Sequence, residues 1–166
     1  MSAIPAVAGL VERWAHLYAD SKALSAGIMF AHLAGVLGAG GLAIAADRAS
    51  LLLPPGGGDA DELAREIARL KSVHAWVIAG LALTVATGVL QLFSDLHTYL
   101  TAWIFWTKMG LIALLLLNGW VRLRAEQGIE AGGTATHLAR FRRTSVASLV
   151  LWFAVLLAGA FLTTVS

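Results

Sequence analysis

Charged residues are missing from 23–46, 72–94 and 144–166, and Lys108 alone interrupts 96–121. Each of these apolar windows exceeds the roughly 20 residues that, at about 1.5 Å rise each, cross a hydrocarbon core of about 30 Å. The pattern predicts an all-α integral membrane four-helix bundle with spans at about 23–46, 72–93, 99–121 and 144–166. Ahead of the first span, Val7, Leu10, Val11, Trp14, Leu17 and Tyr18 recur at helical spacing, with Glu12, Arg13, His16 and Asp20 on other faces. Residues 1–20 therefore read as an amphipathic helix lying on the membrane surface.

The connections fit one domain over 1–166. Residues 47–71 hold a Pro-Pro-Gly-Gly-Gly break at Pro54 to Gly58, then a charged helical piece from Asp59 to Lys71 with Asp59 as its cap. Ser94 to Thr98 reads as a tight turn, and 122–143 as a basic connection. The short loops on one side carry Arg48, Arg65, Arg69, Lys71, Arg122, Arg124, Arg140, Arg142 and Arg143, and the other side only Arg13 and Lys22. Positive charge marks the cytoplasmic side. The expectation is a multi-pass protein of the bacterial inner membrane, with 47–71 and 122–143 cytoplasmic and both termini periplasmic. Tyr99, Trp103 and Trp106 towards the outer surface, with Trp76 and Trp120 towards the inner, fit interfacial aromatic belts.

Composition narrows the chemistry. With 58% apolar and 13% charged residues, a soluble globular domain and a disordered chain are both excluded. The net charge of only +2, carried in the loops, serves topology and implies no nucleic-acid partner. The absence of cysteine removes disulfides, thiolate ligands, iron–sulfur clusters and covalent haem attachment. No Ser–His–Asp set, HExxH motif or phosphate loop supports hydrolysis, and no carboxylate within the four windows offers a proton relay.

What remains is a set of polar residues inside the spans. Lys108 is the one charge there, at a cost of at least about 2.5 kcal/mol on insertion scales. It lies about nine residues, roughly 14 Å, from the outer end of its span, and His32 lies at nearly the same depth in the first. At that level the second span offers Thr84 and, slightly further out, Thr87, Gly88 and Gln91, and the last span offers Gly159. His32 and Lys108 are thus candidate ligands in an outer polar layer. An inner layer holds His74, Asn118, Ser145 and Ser148. His74 is a weaker candidate for a metal, too far from His32 to share one. His16, His97 and His137 fall at solvated positions. Glycines and alanines at steps of three or four along the first span, among them Gly35, Gly38 and Gly41, suit close helix approach. Haem b between helices relieved by Gly35, Gly38 and Gly88 would take His32 as axial imidazole and Lys108 either as a second ligand or as a propionate partner.

Two segments, IMFAHLAGVLGAGGLAIAADR (28–48) and AGLALTVATGVLQLFSDLHTYLTAWIFWTKMGLIALLLLNG (79–119), resemble small bacterial four-helix membrane proteins of uncharacterised function. Those have H-x-x-G in the first span, closing on D-R, then G-x-x-L-x-x-x-T-G and F-x-x-K-x-x-L. The likeness extends distantly to the CopD copper-resistance domain and to HemJ-type protoporphyrinogen oxidases. The second resemblance implies b-type haem at His32 and Lys108, with Arg48 in the place of a further functional arginine. Gly35, Thr84 and Gly88 complete the candidate cofactor set. The function expected is electron transfer, or oxidation of a lipophilic or porphyrin substrate, with a membrane redox partner or a homo-oligomer. The alternative is a non-catalytic membrane subunit or CopD-like passage of copper or a small solute. For copper, Met29 and Met109 are the membrane sulfurs beside His32 and Lys108.

Overall fold

The computed structural model describes residues 3–52, 65, 68–69, 72–130 and 135–165. Among these there is no strand. The helices are α1 (Ala3–Asp20), α2 (Lys22–Leu51), α3 (His74–Leu92), α4 (Leu96–Thr101), α5 (Trp103–Glu130) and α6 (Ala135–Val165). Four are long and apolar enough to cross a membrane: α2, α3, Trp103–Ile129 of α5 and Thr136–Leu162 of α6. The architecture is the all-α membrane bundle that the charge-free windows predict. The Pro54–Gly58 break lies outside the described residues, as does the Asp59–Lys71 piece apart from helical Arg65, Ala68 and Arg69.

The helices depart from the windows at their ends. Ser21 caps α2 by accepting a hydrogen bond from the Leu24 N–H at 3.3 Å, and α2 then continues past Asp47 and Arg48 to Leu51. At the other end of the bundle, Asp95 accepts from the Thr98 N–H at 3.1 Å and starts α4. Ala102, extended at φ −75° and ψ 115°, ends it. Tyr99 therefore belongs to a separate short helix, and the third span begins at Trp103 rather than at 99. Trp106 fastens this corner, its indole N–H donating to the Leu100 carbonyl at 3.0 Å. Helix α5 passes through Arg122 to Glu130, and α6 starts at Ala135, well before residue 144.

The spanning helices form a row, α3–α2–α6–α5: α3 packs on α2, α2 on α6 and α6 on α5, while α3 and α5 scarcely touch. Small residues set this order. A Cβ on Gly35 would lie 2.6 Å from Thr84 Oγ1 and 2.9 Å from the Gly80 carbonyl, and one on Gly80 would lie 3.0 Å from the Ala39 Cβ. Backbones at the α2–α3 crossing are close enough that only glycine fits. On α2's adjoining face, Gly40 lets the buried Trp152 of α6 lie 3.2 Å from where a Cβ would stand. Outward positions are apolar, with Phe30 74% and Trp76 71% exposed, whereas the largest fully buried side chains include Glu126, Asp47, Ser50 and Ser145. A surface wetted by lipid can be apolar, and polarity collects where neighbouring helices satisfy it.

Helix α1 lies across the end of the bundle that carries α4, here the turn end. The Trp14 indole N–H donates to the Leu90 carbonyl of α3 at 2.8 Å, while Val7, Leu10 and Leu17 stay exposed. That is the disposition of an interfacial helix with its apolar residues left for lipid.

Candidate functional site

Polar side chains meet at two depths. In the half towards the turn end, His32 of α2 faces α3. Its Nδ1 is 3.1 Å from Thr87 Oγ1, and its Cε1 fills the space beside Gly88, 3.3 Å from where a Cβ would be. The roles in this contact follow from Thr87, whose hydroxyl lies 2.7 Å from the Leu83 carbonyl and 3.1 Å from that of Thr84. One hydroxyl has one proton, and the helix carbonyls take it. Thr87 Oγ1 therefore accepts from His32 Nδ1–H, leaving Nε2 as the nitrogen with the lone pair. An imidazole fixed in its tautomer by a hydrogen bond from the opposite nitrogen is the usual form of a ligating histidine.

Lys108 of α5 is near enough to His32 to couple with it electrostatically. Its Nζ lies 3.6 Å from the position a Cβ would take on Gly159 of α6, so Gly159 makes room for the ammonium. No described residue accepts a hydrogen bond from that ammonium. One turn beyond Thr87, the Gln91 amide nitrogen is buried and also without a partner among the described residues. Thr87 and Gly88 thus lie beside His32, and Gly159 beside Lys108.

Other expected site residues do other things. Gly35 and Thr84 make the α2–α3 crossing, where Thr84 also donates to the Gly80 carbonyl at 2.9 Å. Gly38 has no neighbour within 4 Å of a would-be Cβ. A planar macrocycle does not fit between α2 and α3 at Gly35 and Gly88, because Thr84 and Gly80 fill the space beside the first and the His32 ring that beside the second. The donor types suit haem iron and its propionates: an imidazole on His32, an amine on Lys108 and an amide on Gln91. Arg48 is exposed on α2, sixteen residues from His32 and so about 24 Å along the axis, and is not brought to this layer. Met29 is 37% exposed. Among the described residues no three His, Asp or Glu side chains converge as a metal-binding group.

The second cluster lies at the opposite, arginine-rich end and is the more deeply buried. Arg122 of α5 is in ion-pair contact with Asp47 of α2. Its Nε donates to Glu126 Oε1 at 3.2 Å, its Nη1 to Ser145 Oγ of α6 at 3.2 Å, and its guanidinium lies 4.7 Å from the Phe141 ring centroid. Ser50 and Ser145 hydroxyls are 2.7 Å apart. His74 of α3 comes within 3.8 Å of Glu126 Oε1, so all four spanning helices contribute. Asn118 donates to the Thr144 carbonyl at 2.8 Å. Arg122 Nη2 and Glu126 Oε2 are buried without a partner among the described residues.

Asp47, Arg122 and Glu126 were not among the residues singled out by sequence. Asp47 and Arg122 bound charge-free windows and Glu126 lies just beyond one, so all three read as loop. The signal that finds them is the Arg122–Glu126 spacing of four on a helix that does not stop at the window's edge. His137, expected in solvent, instead packs its ring against Gly128 across the α5–α6 corner. His16 and His97 are exposed. Comparison with known proteins finds no matching family model, curated protein or solved structure.

Proposed function

We propose that the protein is a bacterial inner-membrane electron carrier that binds one haem b in the half of the bundle nearest the turn end. The observation that carries this reading is the His32–Thr87 hydrogen bond, which leaves Nε2 with its lone pair to ligate; Lys108, which couples to His32, and Gln91 have no side-chain partner among the described residues. His32 Nε2 would be the axial ligand. Lys108 would ligate as the neutral amine or, charged, pair with a propionate, for which Gln91 supplies a second donor. Haem b supplies a one-electron iron couple; the chain's part is to hold the imidazole tautomer, balance anionic arms with Lys108, and keep the layer away from water under α1. A lipophilic donor or a membrane redox partner suits a site bounded by acyl chains. The arginine-rich end faces the cytoplasm, and both termini face the periplasm.

Purified protein in detergent, expressed with ample haem, is expected to show a Soret band and a reduced-minus-oxidised α band. His32→Ala abolishes them. Thr87→Val retains them with an altered reduction potential, because the imidazole loses its hydrogen-bonded partner. A colourless preparation unchanged by His32→Ala overturns the reading.

A second reading, a non-catalytic membrane subunit, is favoured by one observation. Gly27, Ala34, Gly38, Gly41 and Ala45 form an exposed small-residue stripe along α2, separate from the packed Gly35, Ala39 and Gly40. Such a stripe accommodates a partner helix. Stable co-purification of a haem-free chain with a second helix protein, lost in Gly38→Leu, distinguishes it.

A further inference from the structure

One face of α6 joins two features that neither polar layer uses. At the arginine-rich end, Thr136, Ala139, Arg140 and Arg143 border a depression of about 440 Å³. Arg140 and Arg143 are exposed and have no ion pair or hydrogen bond among the described residues. Further along, Leu114, Leu117 and Val121 of α5 with Ala147, Val150 and Leu151 of α6 border a groove of about 510 Å³. Thr136, Arg140, Arg143, Ala147 and Val150/Leu151 follow steps of four, three, four and three or four, so they fall on one face of the helix.

The vertical order is fixed by the Asn118–Thr144 hydrogen bond, which pairs those levels of the antiparallel helices. Arg140 and Arg143 then lie level with Trp120, which is 53% exposed and has the Arg124 guanidinium 4.8 Å from its ring centroid. An exposed Trp bracketed by arginines marks headgroup depth. From Arg143 to Leu151 the face descends about 12 Å into the apolar region.

We propose that this face is a binding site for a single anionic phospholipid, its phosphate held by Arg140 and Arg143 and one acyl chain lying in the α5–α6 groove. Charge decides the occupant: two arginines with no counter-charge among the described residues call for an anion, and only an anion with an apolar tail also fills the groove below them. Basic pockets at helix ends on the cytoplasmic side hold acidic headgroups in the same way. The site is independent of His32 and Lys108 and stands whether or not haem binds.

Native mass spectrometry of the detergent-purified full chain, titrated with phosphatidylglycerol or phosphatidylcholine, tests this. One phosphatidylglycerol is expected to be retained in preference to phosphatidylcholine. Arg140→Gln/Arg143→Gln should weaken retention about thirtyfold, equivalent to about 2 kcal/mol at about 1 kcal/mol per arginine. Val150→Trp, which fills the groove and leaves the arginines, should also displace the lipid, as should Leu117→Trp. Equal retention of the two lipids, or full retention by the double arginine variant, overturns the proposal. Retention unaffected by both groove variants overturns it too, reducing the attraction to diffuse surface charge. Displacement by inorganic phosphate as readily as by lipid makes it a phosphate site instead.

Discussion

Replacing Arg122 with Met is the sharpest test of what holds the arginine-rich end together. The methionine keeps most of the side-chain volume and adds no clash. It removes the ion pair to Asp47, the donations to Glu126 and Ser145, and the contact with Phe141. Asp47 and Glu126, each 1% exposed, are left as two carboxylates with no described Lys or Arg in contact. Arg122 is itself only 8% exposed, so solvent screens little of the loss. Removing one member of a buried pair costs about 3–5 kcal/mol, most of it from the stranded partner. Reversible unfolding in mixed micelles, followed by circular dichroism, should show a loss of that size. In the triple variant Arg122→Met/Asp47→Asn/Glu126→Gln, the stranded charges are gone and most of the loss should return. A triple variant no more stable than Arg122→Met, or a single variant within about 1 kcal/mol of the parent, would refute the claim that uncompensated charge dominates.

Two further outcomes follow from local geometry. Gly35→Ala sets a Cβ against backbone atoms of Gly80 and Thr84 as well as the Thr84 hydroxyl; it should cost about 1–3 kcal/mol by overpacking, and Thr84→Ala should rescue little, because the backbone contacts remain. At the turn end, hydrogen bonds from the side chain and N–H of Thr98 hold the Asp95 carboxyl below its ordinary value of 3.8. A carboxyl with a depressed folded value stabilises the fold above its unfolded value and loses that contribution as pH falls through the folded one. Amide protection factors over Leu96–Thr101 should therefore be high at neutral pH and fall below about pH 4, and in Asp95→Ala they should be low throughout.

Hydropathy made the four spans legible because the cost of burying charge in hydrocarbon acts on every residue of a window. Depth within a span converts into approximate height, yet His32 meets Thr87 and Gly88, set slightly further out than Thr84, while Thr84 packs on Gly35. Lateral order is another matter. Which helices touch depends on where Gly35, Gly40 and Gly80 permit close backbones, and the first span carries several glycines with nothing in the sequence to separate packed Gly35 from open Gly38. The separation of α3 and α5, consecutive spans joined through α4, follows from that choice and could not be read beforehand.

The same cost of burying charge explains why Asp47, Arg122 and Glu126 were hidden. A charge-free window locates the part of a helix that lipid must accept; it is silent on how far the helix continues where other helices, rather than lipid, surround it. Asp47 and Arg122 are the residues at which two windows end, and each is buried because it meets the other, with Ser50, Ser145 and Glu126 completing the contacts. Mutual compensation across helices has no signature in a one-dimensional hydropathy profile. Its one local trace is Arg122 and Glu126 four residues apart on one face of α5, a spacing that solvated helices also use. Had either been unpaired, the helix would have had to end or turn that face to water. Their burial is thus a property of the assembled bundle, and the stability of the arginine-rich end rests on contacts made only once α2, α5 and α6 are side by side.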